Sequence, residues 1–213
     1  MKDTLQRFFL EIAYDGTAYH GWQVQHNATS VQQRLNEGLK TLLRSAVETT
    51  GAGRTDTGVH AKQLFVHLDV LASQIKNQEY FVRSLNSILP VDIAVKRIIE
   101  VAPQAHARFD ATERSYEYHI HFSKNPFLIN RSWHLRDIPD IEKMNKAAEY
   151  LLGKQDFSCF SKSNTQVFTN MCTVKHARWE KTETGCIFYI TADRFLRNMV
   201  RATVGTLLDI GLK

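Results

Sequence analysis

Residues 51–61 read Gly-Ala-Gly-Arg-Thr-Asp-Thr-Gly-Val-His-Ala (GAGRTDTGVHA). Three glycines within eight residues exclude a regular helix or a well-packed strand, and they let the backbone turn sharply and approach something closely. Arg54 and Asp56 stand two apart inside this loop, with His60 behind them. Two readings are open. Either Arg54 and Asp56 form a local ion pair in a glycine-rich hairpin, or the loop holds a carboxylate kept ionised by the nearby guanidinium, able to act as nucleophile or base. Neither the GxGxxG nor the GxxxxGK spacing of a phosphate-binding loop is present.

Outward from the loop, the flanking segments alternate between strand and helix patterns. Residues 7–14 (RFFLEIAY) are rich in β-branched and aromatic side chains and run into Asp15-Gly16, which predicts a strand closed by a turn. Val31, Leu35, Leu39, Leu42 and Leu43 recur at steps of three and four behind Ser30, and Ser30 with Gln33 has capping-box spacing. Leu64, Val66, Leu68 and Val70 alternate along a half-buried strand over 63–70; a helix over 80–89 stops at Pro90, and a strand follows over 92–101. The same grammar returns with a strand at 114–122, a helix from 141 to 152 ending at Gly153, strands at 172–181 and 186–192 around Gly185, and a helix over 195–208. The repeat is one of element order, without visible identity. It predicts an α+β protein of two halves, 1–105 and 106–213, each a sheet covered by helices.

Composition bounds the function. The chain has 213 residues, 43% hydrophobic and 23% charged, and no apolar run reaches the roughly 20 residues of a membrane span. Disorder, collagen, coiled coil and membrane insertion are therefore disfavoured, and the polar start over 1–7 gives no signal-peptide pattern, so a cytoplasmic protein is expected. Cys159, Cys172 and Cys186 make neither a disulfide framework nor a CxxC pair. His119 with His121 and Cys172 with His176 are the nearest approach to metal-ligand spacing, and four convergent ligands are not evident, so no metal is expected. No GxSxG elbow occurs, which disfavours a serine hydrolase. The net charge is +5, and four of those five charges fall in 106–213, which suits a polyanion partner without requiring one. In the last helical segment Arg194, Arg197 and Arg201 share one face and Phe195, Met199, Thr203 and Leu207 another.

With YDGTAYHGWQVQ (14–25), SVQ (30–32), GAGRTDTGVHA (51–61), RSLNSILPVDIAV (83–95), HARFDATERSYEY (106–118) and FLRNMVRATVGTLLDIG (195–211), the chain resembles the bacterial tRNA pseudouridine synthases acting on uridines 38, 39 and 40 of the anticodon arm. The resemblance is ordered and runs nearly end to end. It implies a pseudouridine synthase fold of two ferredoxin-like halves with the active-site cleft between them, a homodimer, tRNA as partner, and no cofactor. It implies Asp56 as the catalytic group and Arg54 as the residue that pairs with the carboxylate or the RNA backbone and helps hold the flipped nucleotide. It implies Tyr116 as the platform under the extruded base, although by pattern alone Tyr116 is equally a core aromatic like Tyr118. Arg201 is implied as the ion-pair partner of the catalytic Asp. Such chemistry needs the target base out of its stack and an aromatic surface to receive it. Family members continue past the segment ending at Gly211 with another helix and strand, so the second half is expected to be short. The rival readings are a non-catalytic RNA-binding or tRNA chaperone protein on the same scaffold and a metal-dependent nuclease.

Overall fold

The computed structural model describes residues 4–162 and 169–213. Two compact units divide the chain, Met1–Ala111 and Thr112–Lys213. In the first, the order is β1 (Leu5–Tyr14), α1 (Val31–Leu43), β2 (Thr50–Gly51), β3 (Ala61–Leu71), α2 (Gln78–Ile88) and β4 (Ile93–Glu100). The sheet order is β2-β3-β1-β4, with β1 antiparallel to both of its neighbours. Phe8, Leu10, Ile12 and Tyr14 are buried at every second position of β1, as a strand with one face on a core requires. They meet Val66, Leu68 and Val70 of β3, Val95 and Ile98 of β4, Val31, Leu35 and Leu39 of α1, and Phe81 and Leu85 of α2.

Ser30 caps α1 by accepting from the Gln33 N–H at 3.2 Å. The reciprocal half of the expected capping box is absent, because the Gln33 amide runs forward along the helix to Glu37 Oε1 at 3.0 Å. The opposite face of the sheet is partly covered by the chain after β4. Arg7 donates to the Ala105 carbonyl at 3.0 Å, and the buried Ala107 donates its N–H to His67 Nδ1 at 3.2 Å. Residues 105–107 therefore belong with the first sheet.

The second unit runs β5 (Arg114–His121), β6 (Trp133–His134), α3 (Ile141–Ala148), β7 (Gly153–Asp156), β8 (Met171–Lys181), β9 (Gly185–Ala192) and α4 (Met199–Gly211). Its sheet has the order β6-β5-β9-β8-β7; β5 and β6 are parallel and the other pairs antiparallel, so the sheet is mixed. Trp179, Phe188, Ile190, Met144 and Met199 form its core. A bulge at Lys175 sets that core: Val174 pairs with Ala192 but His176 pairs with Thr191. The extra residue reverses the facing of β8, so Cys172 and Val174 point inward before it and Trp179 after it.

In both units a helical Asn brackets strand backbone that has no strand neighbour on one side. Asn86 accepts from Val95 N at 2.7 Å and donates to Val95 O at 2.8 Å. Asn145 does the same for Trp179, at 2.8 and 3.1 Å. An amide offers the donor and acceptor of a missing strand neighbour, which satisfies backbone groups that the ladder leaves open. The architecture is α+β. No helix among the described residues is long and apolar enough to cross a membrane.

One expected helix is shorter than its pattern, and the last is displaced from the expected 195–208 to Met199–Gly211. The segment 141–152 is α-helical only to Ala148, tightens into a 3₁₀ turn at Glu149–Leu151, and passes through Gly153 at φ +91° into β7. The last helix begins at Met199 because Asn198 adopts the left-handed conformation, φ +69°, so residues 195–198 lie outside it.

Candidate active site

The loop after β2 is built against the chain that leaves β1. Asp15 Oδ1 accepts from both the N–H and the hydroxyl of Thr17, at 3.0 and 2.6 Å, which closes a tight turn at the end of β1. Tyr19 is buried behind that turn and donates its hydroxyl to Asp92 at 2.6 Å; burial and this bond raise its phenol above the ordinary range. Trp22 is buried against Gly51, where a Cβ would lie 2.7 Å from the indole ring. The first glycine of the loop is thus a packing requirement.

From Ala52 to His60 the loop is fastened at several points. Ala52 donates to Phe65 O at 2.8 Å, Trp22 donates to Thr55 O at 3.3 Å, and Gly58, at φ +78°, donates to Tyr19 O at 3.2 Å. A turn closes between Asp56 O and Val59 N at 3.2 Å. Side chains add two fastenings: Thr55 Oγ1 lies 2.9 Å from the Tyr14 hydroxyl, and His60 Nδ1 accepts from Gly16 N at 3.0 Å. The approach is close enough that Cβ atoms at Gly16 and Gly21 would lie 2.0 Å from Val59 O and 2.2 Å from Thr55 O. Asp56 sits between these anchors with its side chain exposed. A carboxylate so presented is fixed in place by its backbone and open to an incoming group.

The local Arg54–Asp56 ion pair is not formed within Met1–Ala111; both side chains are exposed, and no salt bridge joins them among the described residues. Tyr116 lies in the second unit, half-buried on β5, its ring edge-on to Phe195 with centroids 5.0 Å apart. Tyr118 is half-buried and edge-on to Trp133. Arg201 is exposed in the first turn of α4. Arg194 and Arg197 precede the helix, so the expected basic face of three arginines does not form; only Arg201 is helical.

The metal-ligand spacings dissolve in the sheet. The Lys175 bulge separates buried Cys172 from exposed His176, while His119 bonds Glu117 at 2.8 Å and His121 bonds Ser132 at 2.9 Å. Among the described residues no three His, Cys, Asp or Glu side chains converge. Sequence reading passed over Gly16, Gly21, Tyr14 and Thr55 as parts of the site. The available signal was the pair of glycines set among aromatics over 14–22, a pattern that marks close backbone approach.

Two α+β units, one of which displays a carboxylate on a pinned glycine-rich loop, are consistent with the pseudouridine synthase fold. A family profile described as tRNA pseudouridine synthase matches residues 147–213. The tRNA pseudouridine synthase A of Bacteroides thetaiotaomicron is 49% identical over 210 residues, covering 97% of this chain and 77% of that protein. Those of Bacteroides fragilis and Acetivibrio thermocellus are 47% and 40% identical over 209 residues, covering 98% and 95% of this chain and 82% and 83% of theirs. The chain belongs to the tRNA pseudouridine synthase family.

Proposed function

We propose that this protein isomerises uridine to pseudouridine at positions 38, 39 and 40 of the tRNA anticodon stem-loop, with Asp56 as the catalytic carboxylate. The observation that carries the reading is the Asp56 loop, pinned at Thr55, Gly58 and His60 and presenting an exposed acid. The reaction breaks the N1–C1′ bond, turns the uracil, and forms a C5–C1′ bond; the C5 hydrogen leaves as a proton and N1 regains one, so the product is an isomer. Neither oxidant nor reductant enters that balance. Asp56 acts at the ribose C1′, at the base, or on a ribose proton, and a carboxylate has the chemistry for each of these.

Arg54, exposed beside Asp56, and Arg201, exposed at the start of α4, supply positive charge for the carboxylate and the RNA backbone. Tyr116, its ring edge-on to Phe195, supplies the aromatic platform for the extruded uracil. The enzyme acts in the cytoplasm as a homodimer, and two copies pool the net charge of +5 carried by each chain along one polyanionic substrate.

Release of tritium from C5-labelled uracil in tRNA tests the reading. The wild type is expected to release it and Asp56→Ala to release none while still binding tRNA. A wild-type protein that binds the tRNA and releases no tritium would overturn the assignment.

A further inference from the structure

Asp56 makes its connection to the sheet through its neighbours. On one flank, Thr55 Oγ1 meets the Tyr14 hydroxyl at 2.9 Å; on the other, His60 Nδ1 accepts the Gly16 N–H at 3.0 Å. Both fastenings end within three residues of one another, at the point where β1 passes into its turn. β1 is an inner strand of its sheet, paired on both sides, and Tyr14 is buried, so this end of β1 is a rigid reference for the loop. Accepting from Gly16 requires a lone pair on Nδ1, which places the ring hydrogen of neutral His60 on Nε2. The Asp15 carboxylate also lies 3.0 Å from Nδ1, and the tautomer with its hydrogen on Nδ1 donates to it instead, so either tautomer ties His60 to the turn that ends β1.

We propose that His60 and Tyr14 are positioning residues for the isomerisation: from opposite flanks of the loop they hold Asp56 at its reacting position. This rests on the function proposed above. Backbone bonds at Thr55 and Gly58 already keep the loop folded, so the side-chain fastenings set where the carboxylate stands more than whether the loop forms. A displacement of about 1 Å from reacting geometry can cost on the order of a hundredfold in rate.

The experiment is steady-state tritium release by His60→Ala, His60→Asn, Tyr14→Phe and wild type, with tRNA binding and thermal unfolding measured alongside. The Asn side-chain oxygen reproduces the Nδ1 acceptor, and Phe keeps the ring that stacks on Trp22 while losing only the hydroxyl. His60→Ala and Tyr14→Phe are expected to lower kcat by about tenfold or more with KM within about twofold, and His60→Asn to recover most of that loss. A wild-type kcat in both His60→Ala and Tyr14→Phe would overturn the inference, as would a raised KM with unchanged kcat, or His60→Asn as impaired as His60→Ala. If His60→Ala does not fold, Tyr14→Phe decides by the same criteria. Absence of release by the wild type would instead overturn the functional reading.

Discussion

Gly21 and Thr55 are in contact through backbone alone: Gly21 adopts φ +86°, and a Cβ there would lie 2.2 Å from the Thr55 carbonyl oxygen. Thr55 precedes Asp56, so the residue at position 21 bears directly on where the carboxylate stands. Gly21→Ala meets two costs, about 1–2 kcal/mol for a left-handed conformation and the retreat of the carbonyl. It is expected to lower both the unfolding midpoint and the rate of tritium release. Gly53→Ala, on the same loop with nothing within 4 Å of its Cβ, is expected to leave stability within about 0.5 kcal/mol. Indistinguishable melting curves for Gly21→Ala and wild type would contradict this.

Acid is expected to loosen the first unit through His67. Burial, the charge of Arg7 and that of His106 hold its pKa below the ordinary value of 6.5, against the weaker pull of Asp69. Its neutral Nδ1 accepts the Ala107 N–H, and its ring packs against Phe9 and His106. The folded state resists protonation there while the unfolded chain accepts it. The contribution of His67 is therefore fully present above about pH 6.5 and is lost as pH falls from there through the folded pKa, at no more than about 1.4 kcal/mol per pH unit. Denaturant melts of wild type and His67→Asn between pH 7.5 and 5.5 check this. The Asn variant keeps an acceptor and is expected to show the smaller drop; equal drops would exclude His67 as the source.

The three thiols divide sharply in reactivity. Cys159 is exposed, whereas burial raises the Cys186 thiol to about 11 and also pushes up that of Cys172. The thiolate is the nucleophile, so alkylation of the native protein with iodoacetamide at pH 8 is expected to add one group, on Cys159, and denaturation to add three. Peptide mapping that found native adducts on Cys172 or Cys186 would contradict the burial.

Tyr116 separates packing from catalysis. Tyr116→Phe keeps the edge-on contact with Phe195 and is expected to match wild-type stability within about 0.5 kcal/mol. Tyr116→Ala loses an aromatic pair worth about 0.5–1.5 kcal/mol beyond its buried area. If the ring receives the flipped uracil, tritium release falls at least about tenfold in Tyr116→Ala and less in Tyr116→Phe. Equal activity in wild type and Tyr116→Ala would return Tyr116 to the role of a core aromatic.

Much of this fold is legible in the chain because regular elements write their period into it. Val66, Leu68 and Val70 alternate in the sequence and are buried on one face of β3, and the leucines at steps of three and four mark the buried face of α1. The two-residue strands β2 and β6 are too short to carry a period, and they exist because a longer strand lies beside them. The bulge at Lys175 is equally silent: the run from Met171 to Lys181 reads as one strand, and only the pairing to β9 shows that its facing reverses midway. Arg194, Arg197 and Arg201 have helical spacing, yet the left-handed turn at Asn198 leaves only the last of them on α4.

The candidate site divides in the same way. The sequence by itself determined that Asp56 stands on a loop too rich in glycine for regular structure, and its motifs determined the family. Only the tertiary structure decided what holds that loop: Gly21 against Thr55, Tyr14 on Thr55, His60 on Gly16, and Trp22 under Gly51. Local patterns report what a residue does to its own backbone. These fastenings instead join positions about 30 to 44 residues apart, and they become contacts only once β1 and β3 have paired and brought the two loops to the same end of the sheet.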